Sequence, residues 1–130
     1  MGAHLRGIAL SPPTEPALFV IALVAEGMEH CIVDIRDFAA VKAQMDEFLP
    51  EIVIHMASFP RQKVVNNNPA WGSRVMSEGL LNLLEASVKY EVRKFIYISS
   101  SMVYGDFIDQ VTEDAICKPQ GQYGIMKLAG

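Results

Sequence analysis

Apolar positions along this chain fall into short blocks, and the spacing within each block changes from one to the next. RGIAL (residues 6–10) is a brief apolar segment, stopped by SPPTEP, whose prolines forbid a continuing strand or helix. Pro16 suits a first helical turn, and the apolar run behind it predicts a mostly buried helix ending near Gly27. CIVDI (residues 31–35) is short and β-branched, which predicts a strand. Phe38, Val41, Met45 and Phe48 then recur at helical spacing, with Asp37 as the N-cap and Pro50 as the stop. EIVIHMAS (residues 51–58) is a continuous apolar run, the pattern of a strand buried on both faces.

A polar loop, FPRQKVVNNNP (residues 59–69), leads into a long helix over about residues 70–90. Trp71, Val75, Leu80, Leu81, Leu84 and Val88 are its expected inward positions. KFIYISS (residues 94–100) reads as another buried strand. A loop-like tail follows, and a last helix begins near Gln122. Strands that alternate with helices predict an α/β fold with a parallel sheet and right-handed crossovers. In such sheets ligands bind beyond the carboxyl ends of the strands. Two of those ends are small or polar here, HMAS after Val53-Ile54 and SSS after Ile98, so the chemistry is expected there.

Composition narrows the function classes. At 130 residues, 51% of them apolar, the chain is at most one ordinary domain with a real core. A net charge of −4 without a basic run argues against a nucleic-acid partner. Cys31 and Cys117 are too few for a disulfide framework and read as reduced thiols. The longest apolar run, ALFVIALVA, is about half of what a bilayer needs and lacks the basic start of a secretory signal. Arg6 stands where a myristoylation signal would carry Ser or Thr. No membrane association and a cytoplasmic location are therefore expected. His4 and His30 make no metal-ligand spacing, so no metal is expected, and His55 reads as a buried structural histidine.

Tyr123 and Lys127 lie four apart in QYGIMKLAG, on one face of the last helix. A free phenol is a poor base at neutral pH, and a nearby ammonium favours its ionised form. Any helix offers such pairs, so the spacing alone says little. Ser99, Ser100 and Ser101 at the tip of a buried strand change the odds, because a hydroxyl there can share a hydrogen bond with a reacting oxygen. Together the groups suit moving a proton on an alcohol while a hydride leaves the same carbon.

KFIYISSSMVYGDF followed by QYGIMKLAG resembles the extended short-chain dehydrogenase/reductase family, the NAD-dependent sugar-nucleotide epimerases and dehydratases. VDIRDFAAVKAQMDEFLPEIVIHMAS is similar to that family's third strand, helix and fourth strand, and GLLNLLEASVKYEVRKF to the helix before the serine strand. The N-terminal third resembles the 4,6-dehydratases of the CDP-glucose type. The resemblance implies a Rossmann-like, doubly wound parallel sheet. It also implies Ser100, Tyr123 and Lys127 as catalytic groups, and Asp34 and Ile35 beside the adenine. Met56, Ala57 and Ser58 would line the cofactor, and Lys127 would also bond the nicotinamide ribose. NAD is the implied cofactor, with NADP the other candidate, and a nucleotide sugar the implied substrate.

Some positions depart from the family's pattern. Its first strand and glycine-rich loop have no counterpart here, and RGIAL is expected to be the second strand. The later strands and the substrate-binding portion are also missing, so residues 1–130 read as a partial NAD(P)-binding Rossmann domain. A chain of this kind is expected to bind NAD weakly or not at all, and to aggregate or form a homodimer through the open sheet edge. Ser101 and Met102 stand where dehydratases carry an acidic pair, which favours epimerase or reductase chemistry. Met76 and Leu80 replace the family's Asn and Thr. The other reading is a catalytically inactive Rossmann-like fragment or interaction module.

Overall fold

Asp37 opens the best-formed helix of the N-terminal half. Its carboxylate accepts the main-chain N–H of Ala40 at 3.0 Å, satisfying one of the donors that a first turn leaves free. The computed structural model describes residues 2–59, 62–106 and 110–130, with Ala25 described by its backbone only. In chain order it comprises β1 (Arg6–Ala9), α1 (Leu18–Ile21), β2 (Glu29–Ile32), α2 (Phe38–Phe48) and β3 (Ile52–His55). There follow α3 (Gln62–Asn67), α4 (Pro69–Ser73), a π-helical turn (Arg74–Glu78), α5 (Gly79–Lys89), β4 (Lys94–Tyr97) and α6 (Gln122–Ala129). Single 3₁₀ turns lie at Val24–Glu26 and Ser101–Tyr104.

The fold is α/β and its strands pair in parallel, as expected, but in two separate ribbons. β1 pairs with β2, Ile8 opposite Cys31, and β3 pairs with β4, Ile54 opposite Ile96. α2 and α5 cover one face. There Val33, Ile35, Val41, Met45, Leu83 and Ala86 form the larger core cluster, with Val53 and Phe95 packed on it. Asn82 on α5 donates to the carbonyls of Ile35 and Arg36 at 2.9 and 3.1 Å, which ties the helix to the end of β2. A second cluster, Val65, Met76 and Met126 with Phe59 and Tyr123, joins α3 and the π turn to α6.

Four expectations need correction. The buried helix after Pro16 is one turn long, and Leu18, Val20 and Ile21 remain 81%, 63% and 60% exposed. No described element packs over these side chains, and a helix that short has no stability without tertiary packing. The polar stretch before Pro69 contains a helix, α3, because Val65 is fully buried against Gly72, whose lack of a Cβ admits it. In α5, Leu80, Leu83 and Ala86 face inward while Leu81 and Val88 are exposed. That helix carries two apolar stripes, and periodicity cannot choose between them. β3 is open on one face, with Ile52 44% and Ile54 56% exposed, because no described helix covers that side.

Candidate active site

The end of β4 and the helix α6 form one packed corner. α6 begins at Gly121, whose missing side chain leaves the first turn without a local cap. Asn66 supplies it: its Oδ1 accepts the main-chain N–H of Tyr123, 57 positions later, at 3.1 Å. One residue on, Gly124 is buried against the Ser101–Tyr104 turn. A Cβ there would lie 2.4 Å from the Met102 carbonyl oxygen, closer than any side chain tolerates. Glycine thus lets the helix approach the loop that carries Ser100, and a capping asparagine sets where the helix starts.

Lys127 is the buried end of this arrangement, 4% exposed. Its Nζ donates to the Ile98 carbonyl at 2.7 Å and lies 4.7 Å from the centroid of the Tyr97 ring. Burial lowers the pKa of this ammonium from its ordinary value. Tyr123, one turn earlier, is half-buried and packs on the Val65–Met76–Met126 cluster. The Tyr97 hydroxyl is buried without a protein partner, and its pKa is raised by burial first and by the neighbouring Tyr123 phenol second. Ser100 caps the next turn, its Oγ accepting the Met102 N–H at 3.3 Å. Of the three groups read from the sequence, Tyr123 and Lys127 share a helix, and Lys127 grips the strand that leads, two residues on, into Ser100.

His55 closes β3 beside this corner. It is 3% exposed, with its ring centroid 5.5 Å from that of Tyr97 and 6.2 Å from that of Phe95. Its pKa is pushed down to about 4, by burial first and by the Lys127 charge second, so it is neutral near pH 7. Beyond it, Met56 is 72% exposed, Ala57 is exposed, and the Ser58 Oγ is buried without a protein partner. At the end of β2, Asp34 is held by Arg36, whose Nε lies 3.0 Å from both carboxylate oxygens, and this hydrogen bonding lowers the Asp34 pKa. The Ile35 side chain belongs to the core, packed under Gly79. A small cavity of about 260 Å³, lined by Asn66, Met102, Asp106 and Gln120 among others, adjoins the start of α6.

Sequence reasoning missed Asn66, Tyr97 and Gly124. Asn66 and Tyr97 act through partners distant in the chain, which periodicity cannot register. Gly124, beside a tyrosine inside a helix, is a signal that could have been used, since a mid-helix glycine costs stability unless closeness demands it.

An α/β chain with parallel strands, helices between them and polar groups at the carboxyl ends belongs to the doubly wound, Rossmann-like class of fold. The chain belongs to the NAD dependent epimerase/dehydratase family, whose pattern matches residues 8–130. Over 107 residues it is 37% identical to CDP-glucose 4,6-dehydratase of Salmonella typhimurium, across 80% of this chain and 29% of that protein. It is 36% identical over 98 residues to methionine adenosyltransferase 2 subunit beta of Xenopus laevis, across 75% of this chain and 29% of that one. The solved structure of Thermus thermophilus UDP-glucose 4-epimerase in complex with NAD is similar with a TM-score of 0.74 at 26% identity. That match covers 96% of this chain and 48% of the epimerase. The chain therefore spans less than a third of the length of these two curated relatives. Among the described residues, no helix is long and apolar enough to cross a membrane.

Proposed function

We propose that a protein carrying these 130 residues oxidises and re-reduces a hydroxyl of a nucleotide sugar, with Ser100, Tyr123 and Lys127 as its catalytic groups. The observation that carries this reading is the buried Lys127 ammonium, fixed on the Ile98 carbonyl one helical turn from the Tyr123 phenol. The Tyr123 Oη accepts the proton of the sugar hydroxyl, and Lys127, on the same helix one turn later, holds that helix against the strand end. Ser100 steadies the sugar oxygen by a hydrogen bond.

NAD, when bound, supplies the hydride acceptor, and NADP is the alternative. Asp34 and Ile35 would meet its adenosine end. Met56, Ala57, Ser58 and Lys127 would meet the nicotinamide half, where the unpartnered Ser58 Oγ supports a polar ligand. Met102 offers no acid next to Ser100: its amide serves the serine and its carbonyl borders Gly124. That favours return of the hydride over loss of water. Conversion of a UDP- or CDP-sugar in the presence of NAD tests the reading. Tyr123→Phe is expected to lower kcat by about 100-fold or more while NAD binding persists. Undiminished turnover by that variant refutes the assignment.

The likeness to a protein named as a subunit favours one other reading, a non-catalytic binding partner. Absence of both turnover and any rise in Tm with millimolar NAD would move the assignment to it.

A further inference from the structure

Among the described residues, Lys127 is the one buried side chain that carries a charge near pH 7, since His55 is neutral there. Burying a charge is costly unless something compensates it, and a carboxylate is the usual answer. None of the ion pairs among the described residues includes Lys127. The titratable side chains around it are His55 on β3, Tyr97 on β4 and Tyr123 on its own helix. Lys63 of α3, with Arg74 and Glu78 of the π turn, belongs to elements packed on α6, and none of the three forms an ion pair with it.

Two groups compensate the charge instead. The Ile98 carbonyl accepts one N–H at 2.7 Å, and the Nζ lies 4.7 Å from the centroid of the Tyr97 ring, inside the range in which a ring face attracts a cation. α6 closes on the same ring again at its end, where a Cβ on Gly130 would lie 2.7 Å from the Tyr97 Cζ. The His55 ring stands 5.5 Å away, centroid to centroid. The Tyr97 ring is thus held by β3 and α6, whereas its hydroxyl is buried without a protein partner. An unpaired buried hydroxyl costs stability, so what the surrounding elements use is the ring.

We propose that the Tyr97 ring face takes the place of a counter-ion for Lys127, which makes Tyr97 a positioning residue for the proton transfer at Tyr123. The contact stands on the geometry of β4 and α6, and its bearing on turnover rests on the function proposed above. A ring face is electron-rich without being ionised, so it stabilises the ammonium and brings no second charge into the interior. A carboxylate in its place would bring one. An ammonium has three donors, and the carbonyl and the ring engage at most two of them, which leaves one for a ligand.

The pH midpoint of Lys127, followed by carbon NMR at its Cε in the whole 130-residue chain, tests this. Tyr97→Phe keeps the ring face and removes the orphan hydroxyl, so the midpoint is expected to stay within about 0.3 pH units and Tm not to fall. Adding one, two and then three fluorines to that phenylalanine drains the ring face at nearly constant volume. The midpoint is expected to fall stepwise, by about one pH unit over the series. A midpoint that stays flat overturns the proposal and leaves the ring as packing. In the protein that turns over a nucleotide sugar with NAD, the alkaline limb of the kcat profile is expected to move down with the midpoint. A midpoint that moves while the limb stays overturns the positioning role. Absence of any turnover refutes the proposed function alone, and the midpoint still decides the contact.

Discussion

The carboxyl ends of β4 and β3 make an instructive pair. Both strands are short, parallel, and followed by small or polar residues. At the end of β4, a helix arrives from later in the chain and fixes everything: Asn66 caps it, Gly124 lets it close, and Lys127 bonds the Ile98 carbonyl. At the end of β3, His55 is buried against the tilted rings of Tyr97 and Phe95, and Met56 and Ala57 lie open. A strand end becomes a site when another element restricts its side chains. Without that element the same residue types remain surface.

Substituting Gly124 should break the contrast most severely. Gly124→Val puts branched carbon against the Met102 carbonyl and should destabilise the chain by roughly 2–3 kcal/mol, seen as a lower urea midpoint. A variant as stable as the parent would mean that α6 does not depend on close approach.

His55 gives an effect of similar size. Its pKa of about 4 when folded lies below the ordinary histidine value, so the unfolded chain binds a proton that the folded chain refuses. The associated stability is complete above about pH 6.5 and is lost as pH falls towards about 4, by up to about 3 kcal/mol. Urea titrations between about pH 7 and pH 4.5 should show that slope, and His55→Phe, which keeps a ring against Tyr97, should flatten it.

Asp34→Asn is the mildest change. The Asp34 and Arg36 side chains are 29% and 35% exposed, so losing the pair should cost less than about 1 kcal/mol. The same urea titration at about pH 7 checks this. A larger loss would show that the end of β2 is as tightly determined as that of β4.

Much of this was legible in the chain itself. α2 carries its cap, its period and its stop within a short stretch, and the structure reproduces all three. α6 starts where expected, with Tyr123 and Lys127 on it. What could not be read depends on distance. The cap of α6 comes from α3, and the buried stripe of α5 is chosen by the sheet beneath it. The apolar run of β3 suits a strand covered on both faces, and Ile52 and Ile54 are not covered. An apolar run reports the surroundings a strand is suited to, and within the described residues that surrounding is incomplete.

The bond from Lys127 to Ile98 has a chemical corollary. Acylating reagents need an unprotonated, reachable amine, and among the lysines of this chain only Lys127 is buried. The exposed lysines would be acetylated while it is still shielded by a carbonyl and an aromatic face. The order in which the amines react is therefore a record of whether the last helix is in place.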